Sequence, residues 1–359
     1  MGEPLRIGMV GAGKISGAYL KTFERLDAVR LTAVTDLDAG RAEAVAAQVP
    51  GVAVAGSVAE LTGRSDVDAV LNLTVPAVHA EVARAALDAG KHVYGEKPLA
   101  MTREEADSLL ATASERGLRV GCAPDTVLGT GVQTARGAVD DGLIGTPVAA
   151  TAFMTTPGHE RWHPDPELYY RPGGGPLLDM GPYYLSALVH LLGPVGRVTA
   201  AASRSRPERT IGSGPRAGER FDTEVETHVT GLLEHAGGAL TTLVMSFDIH
   251  AARLPRIEVH GTEGSLSVPD PNGFDGPVEL HRAGGEWERL PVSGGYRDAG
   301  RGTGLADLAT SLTEDRPHRA SGELARHVLD VMLTLLDAAR EGVWLPVRSD
   351  CGRPEAVRP

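Results

Sequence analysis

The chain has 359 residues, of which 42% are hydrophobic and 23% charged. That is room for two domains of roughly 150 residues each, and it excludes a disordered, collagenous or coiled-coil protein. A formal net charge of −12 has the wrong sign for a phosphate-backbone partner, so no nucleic acid is expected. No apolar run approaches the roughly 20 residues of a membrane span and the start shows no signal-peptide pattern, so no membrane partner and a cytoplasmic location are expected. Cys122 and Cys351 stand far apart, outside any Cys/His cluster, which argues against a disulfide framework and a zinc site.

The apolar run 5–10, the turn Gly11-Ala12-Gly13 and a helical pattern from Ile15 to Leu26 read as strand, tight turn and helix. A second strand from Leu31 to Thr35 ends at Asp36, and the alanine-rich stretch 39–48 has helical composition. Val67 to Leu73, a helix over 77–89, Lys91 to Tyr94, a helix over 102–116 and Leu118 to Cys122 continue the alternation. Such alternation predicts an α/β domain with a parallel sheet and right-handed crossovers over residues 1–125. Farther on, the runs 147–155, 195–203, 224–234, 238–248, 254–260 and 264–268 are separated by Gly-rich turns and predict antiparallel strands. Helices are expected over 179–192, 303–314 and 321–341. Residues 126–359 then form an α+β domain with a large, mostly antiparallel open sheet. The Arg-rich stretch 204–220 has Pro, Gly and Ser but no apolar period, and reads as a long loop or lid.

Gly11-x-Gly13 after a strand and before a helix would set backbone N–H groups and the helix N-terminus against a pyrophosphate. The third small position is Ser16, with Gly17 next, so the match to G-x-G-x-x-G/A is imperfect. Asp36, at the end of the second strand, strengthens it: a carboxylate there accepts ribose hydroxyls and repels a 2′-phosphate. The first domain is therefore expected to be an NAD(P)-binding Rossmann domain, with NAD favoured over NADP.

Three further signatures carry a family likeness. Gly90-Lys91-His92-Val93-Tyr94-Gly95-Glu96-Lys97-Pro98 and the upstream Asn72-Leu73-Thr74-Val75-Pro76-Ala77-Val78-His79 form one signature. Gly173-Gly174-Gly175-Pro176-Leu177-Leu178-Asp179-Met180-Gly181-Pro182-Tyr183 is a second, and Gly261-Thr262-Glu263-Gly264 a third. In this order they resemble the glucose–fructose oxidoreductase, inositol dehydrogenase and rhizopine-catabolism family, Gfo/Idh/MocA. The resemblance implies an NAD(P)-dependent dehydrogenase or ketoreductase acting on a secondary alcohol or ketone of a sugar, cyclitol or related polyol. It also implies an open sheet that serves assembly into a homodimer or homotetramer. By the motif match, Lys97 takes the place of the family's catalytic lysine and Asp179 that of its substrate-positioning aspartate. Tyr183 stands where many members have histidine. The expected cofactor contacts are Gly11, Gly13, Lys14, Ile15, Asp36, Thr74, Pro76, His79, Glu96 and Lys97.

The chemistry of the residues agrees. Moving a hydride to or from a carbinol carbon requires a proton to reach or leave its oxygen, and a lysine beside a phenol can share one mobile proton. Only four lysines stand among 35 basic residues, and arginine could not release a proton at position 97. Asp179 and Tyr183 lie one helical turn apart and share a helix face; a simple N-cap is the other role open to Asp179. The stretch 157–170 is rich in Pro, His and aromatic residues, and Trp162, His163 and Tyr169 are expected to contact substrate, together with Asp125. His159 and His163 at i, i+4 invite a zinc reading, but no third ligand has suitable spacing, so no metal is expected. Two other functions remain open: a non-catalytic NAD(P)-binding sensor, and an enzyme that recycles NAD during elimination or glycoside cleavage.

Overall fold

The computed structural model describes residues 3–358. From the N-terminus it forms β1 (Leu5–Val10), α1 (Ser16–Phe23), β2 (Val29–Thr35), α2 (Ala39–Gln48), β3 (Ala53–Val54), α3 (Val58–Thr62), β4 (Ala69–Asn72), α4 (His79–Asp88), β5 (His92–Gly95), α5 (Arg103–Glu115) and β6 (Val120–Cys122). The short β3 and α3 were too brief to show a period. All six strands are parallel, in the order β3-β2-β1-β4-β5-β6, so the order reverses between β1 and β4. Ile7, Met9, Ala69, Val70 and Leu71 are all fully buried. That is why these strands read as unbroken apolar runs rather than as an alternation. Asp38, Ser57 and Thr102 cap α2, α3 and α5. The N-cap of α1 is Ile15, with no side-chain cap, and its Ser16 N and Ala18 N turn back onto Gly13 O and Ile15 O.

The chain continues through α6 (Thr130–Asp140), β7 (Pro147–Thr155), α7 (Gly175–Leu192), β8 (Val195–Ser203), β9 (Glu208–Thr210), β10 (Arg220–Asp222), β11 (His228–His235), β12 (Leu240–Ser246), β13 (Ile257–Gly261), β14 (Gly264–Val268), β15 (Glu279–Arg282), β16 (Trp287–Arg289), α8 (Thr303–Glu314), α9 (Gly322–Glu341) and β17 (Leu345–Pro346). Nine strands make one sheet, β16-β15-β14-β13-β7-β12-β11-β8-β17, antiparallel except for the parallel pair β7/β12. Helix α7 packs on β7, β11 and β12, over the buried side chains Ala152, Met154, Leu233, Leu243 and Met245. The alternate positions, among them Leu232 and Leu240, are exposed on the other face.

Residue contacts separate two units. The first runs to Leu128 and includes Asp298–Arg326; the second comprises Gly129–Arg297 and the residues from His327 onward. Helix α8 and the start of α9, which the sequence reading set after a single boundary at 125, belong to the first unit. Helix α8 packs on β2 and β6, a long-range docking that no local pattern records. Residues 204–220 also differ from the loop or lid expected: β9 and β10 pair as an antiparallel two-stranded sheet, Arg220 opposite Thr210. Among the described residues no helix is long and apolar enough to cross a membrane.

Candidate active site

In the first unit, the β1–α1 turn is built to admit a diphosphate. Gly11 has φ +94°, and a Cβ there would stand 2.8 Å from the Leu73 carbonyl carbon, so only glycine fits. A Cβ on Gly13 would meet nothing within 4 Å, which is the open approach a phosphate needs. Asp36 accepts hydrogen bonds from Ala12 N at 2.6 Å and Asp38 N at 2.8 Å. Its two oxygens retain lone pairs for ribose hydroxyls, because a carboxylate offers about four acceptor sites. Lys14 is exposed and Ile15 half-buried. These residues fit a dinucleotide.

The Asn72–His79 segment and the Glu96-Lys97-Pro98 segment are tied together. Asn72 Oδ1 accepts from Thr74 N and Thr74 Oγ1, while Asn72 Nδ2 donates to His79 O. The buried His79 ring bridges the two segments, with Nδ1 2.7 Å from Pro98 O and Nε2 3.0 Å from Thr74 O. Pro76 opens the short helical turn between Thr74 and His79. Glu96 accepts from Tyr19 Oη at 2.8 Å and from Lys97 N at 3.2 Å, linking α1 to the lysine. His79 thus holds the Thr74 and Pro98 carbonyls together, next to Lys97.

Asp125, expected on substrate, is fully buried in this unit. Its Oδ2 accepts from Gly302 N at 2.7 Å and Gly304 N at 3.1 Å, at the start of α8, so the carboxylate is engaged as a helix cap. Burial lifts its pKa to about 6, against Arg301 and the two glycine N–H donors, with Glu96 adding to the rise. An aspartate in an unfolded chain titrates near ~3.9, so the folded state binds this proton more tightly. The sign follows: the stability it contributes is complete below about pH 4 and is lost as pH rises through about 6. Asp125→Asn keeps an oxygen for the glycine donors and cannot ionise. Its melting curve is expected to lose the decline between pH 4 and 7, with a gain on the order of 1–3 kcal/mol at pH 8. An unchanged decline by calorimetry would remove this account.

In the second unit, α7 begins at Gly175 with Gly174 as N-cap, four residues before the start read from sequence. Asp179 therefore lies inside the helix and is not its cap. Its Oδ2 is 2.9 Å from His159 Nε2, with both side chains mostly buried. Tyr183 follows one turn later and is 6% exposed, and the intervening Pro182 removes one helical N–H. The His159 ring sits among Phe247, Tyr169 and Trp162 at centroid distances of 4.4, 4.6 and 5.2 Å. Trp162 remains half exposed, so an aromatic face is open beside the His159–Asp179 pair. His163 touches the Trp162 and Tyr169 rings, and its Nδ1 accepts from Asp165 N at 3.1 Å. The sequence reading missed His159 as Asp179's partner; its spacing to His163 drew attention to metal chemistry instead.

A doubly wound dinucleotide domain with a fixed lysine, followed by an α+β unit that presents an acidic and a phenolic group from one helix, defines a nicotinamide-dependent oxidoreductase. Residues 5–123 match the model of the oxidoreductase family with an NAD-binding Rossmann fold, and residues 132–267 that of the GFO/IDH/MocA C-terminal domain. The chain is 32% identical over 346 residues to 1,5-anhydro-D-fructose reductase of Ensifer adhaerens, covering 94% of this chain and 97% of that protein. It is 34% identical over 287 residues to dTDP-3,4-didehydro-2,6-dideoxy-alpha-D-glucose 3-reductase of Streptomyces antibioticus, covering 77% and 80%. Among solved structures, an NAD-binding oxidoreductase from Klebsiella pneumoniae matches with a TM-score of 0.80 at 25% identity, covering 97% and 100%. The chain belongs to the Gfo/Idh/MocA family of NAD(P)-dependent oxidoreductases, as its three motifs implied.

Proposed function

We propose that this enzyme transfers a hydride between nicotinamide and a secondary alcohol or ketone of a sugar, cyclitol or related polyol, with Lys97, Asp179 and Tyr183 as its acid/base and positioning groups. The observation that carries this reading is the placement of Asp179: within α7, one turn before Tyr183, paired to His159 beside an open aromatic face. A carboxylate paired with an imidazole accepts hydrogen bonds from substrate hydroxyls, and Trp162 offers its ring to the apolar face of a sugar. When bound, the nicotinamide supplies or receives the hydride. The accompanying proton is handled by Lys97 and Tyr183: the phenol donates it to the carbonyl oxygen in reduction and recovers it in oxidation, with the lysine as the second holder. His159 holds Asp179 in orientation, and His163 packs edge-on against the Trp162 and Tyr169 rings. The tyrosine thus takes the place of the histidine commoner in the family. The named relatives reduce sugar ketones, which supports this substrate class.

Asp36 favours NAD over NADP, since its carboxylate would face a 2′-phosphate directly. The test is absorbance at 340 nm with NAD and with NADP across a panel of polyols and, in reverse, ketoses. Steady turnover with NAD is expected. Cofactor binding without net reduction would favour the sensor or the NAD-recycling alternative, and preference for NADP would overturn the role given to Asp36. The nine-stranded sheet supports a homodimer or homotetramer, because α7 covers one face while Leu232 and Leu240 stand exposed on the other. Light scattering is expected to give a multiple of 37.5 kDa. The monomer mass would overturn this.

A further inference from the structure

Between β8 and β11 the chain runs out and back as the β9–β10 hairpin, and one of its arginines points inward. The Arg209 side chain is 1% exposed. Its Nη1 donates to Glu160 Oε1 at 2.9 Å and its Nη2 pairs with Asp248, whose other oxygen accepts from Thr227 Oγ1 at 2.6 Å. The guanidinium lies 4.8 Å from the centre of the Tyr170 ring, and the Tyr170 hydroxyl donates to the second oxygen of Glu160. Burial opposes the charge, yet Tyr170, Glu160 and Asp248 together hold the Arg209 pKa above its ordinary value. The backbone is tied in as well: Gly212 N donates to Glu160 O at 2.7 Å, and Arg216 Nη2 reaches Glu167 at 2.6 Å.

Glu160 is the next residue after His159, in a single 3-10 turn, His159–Arg161. A turn this short has little ladder of its own to hold it. What fixes it is Glu160 on Arg209 and His159 N, which donates to Tyr170 Oη at 3.1 Å. From that turn His159 reaches Asp179. A buried ion pair is weak evidence for stability, since apolar replacements of similar volume are often neutral or better. Its placement directly behind the His159–Asp179 pair points to a different use. We propose that Arg209 is a positioning residue for the reaction: by holding Glu160 it fixes the turn that presents His159 to Asp179. This rests on the reading of Asp179 as part of the reacting site.

The test uses the full-length protein with Arg209→Met, Arg209→Lys, Glu160→Gln and Asp179→Asn, each measured three ways. The readouts are the imidazole nitrogen resonances of His159, assigned by their loss in His159→Gln; NADH affinity; and kcat and KM on the best substrate of the panel. Arg209→Met is expected to move the His159 resonances to the positions they take in Asp179→Asn. It should also lower kcat by roughly tenfold to a hundredfold while NADH affinity holds, a range reached when a reacting group is slightly misplaced. Arg209→Lys keeps the charge but not the two-pronged fork, and should recover part of kcat. Should the methionine variant not fold, Glu160→Gln, which still accepts from Tyr170, is read in its place with the same expectation. Wild-type resonances, or shifted resonances with unchanged kcat, would overturn the proposal. Full turnover in Asp179→Asn would instead overturn the reading of the site, whatever Arg209 does.

Discussion

Lys97→Met lowers turnover at least about a hundredfold and leaves NADH affinity nearly intact, the usual scale for losing a positioned acid/base group. The frame around the lysine explains why the loss should be confined to chemistry. Lys97 N donates to Glu96, Glu96 accepts from Tyr19, and the following Pro98 carbonyl is held by His79. These contacts are made by Glu96, His79 and the backbone of residues 97 and 98, so they survive replacement of the Lys97 side chain. Lys97→Arg keeps the charge and should fail as badly, since a guanidinium does not release its proton in proteins. Stopped-flow measurement of hydride transfer, beside fluorescence titration with NADH, checks both variants. Near wild-type turnover in the arginine variant would show that only charge is required.

Tyr183→Phe removes one hydroxyl from a buried ring and should cut turnover by roughly a hundredfold with little change in NADH affinity or stability. In the wild type, alcohol oxidation should rise with pH toward an alkaline plateau, because an ordinary phenol titrates near ~10 and an imidazole near ~6.5. The structure changes the rival for this role. His163 was expected on substrate, but its Nδ1 is engaged by Asp165 N, whereas His159 is the imidazole on Asp179. His163→Ala is therefore expected to affect KM more than kcat. If Tyr183→Phe remains active while His159→Gln does not, the proton passes through His159 and Asp179, and Tyr183 is a packing residue.

What the sequence disclosed tracks the range of the interactions concerned. Five of the six parallel strands, the Gly11 turn, Asp36 at the end of β2 and the Lys97 segment are all local, and each was legible. Helix α7 was placed late because Gly173-Gly174-Gly175-Pro176 reads as a turn, although a proline is well suited to a helix's first turn. Helix α6 went unseen because its apolar face is only Val132, Ala135, Ala138 and Val139, set among Gly, Thr, Gln and Arg residues that are buried with it. The pairing of His159 with Asp179 spans 20 residues and that of Asp125 with Gly302 spans 177; no period encodes either. The hairpin that carries Arg209 looked like solvated loop because its arginines are mostly exposed, and nothing in composition marks the one that is buried.

The first unit is closed by a segment synthesised long after its sheet. Roughly 170 residues separate Leu128 from Asp298, a delay of about 10–30 s at ordinary rates of translation. Until α8 emerges, Asp125 has no N–H groups to accept from, and the surfaces of β2 and β6 that α8 covers are bare. The nucleotide-binding half of this enzyme therefore cannot finish folding in the N-to-C order of its synthesis. The residues that complete it, Asp298–Arg326, are followed at once by those from His327 onward that complete the second unit.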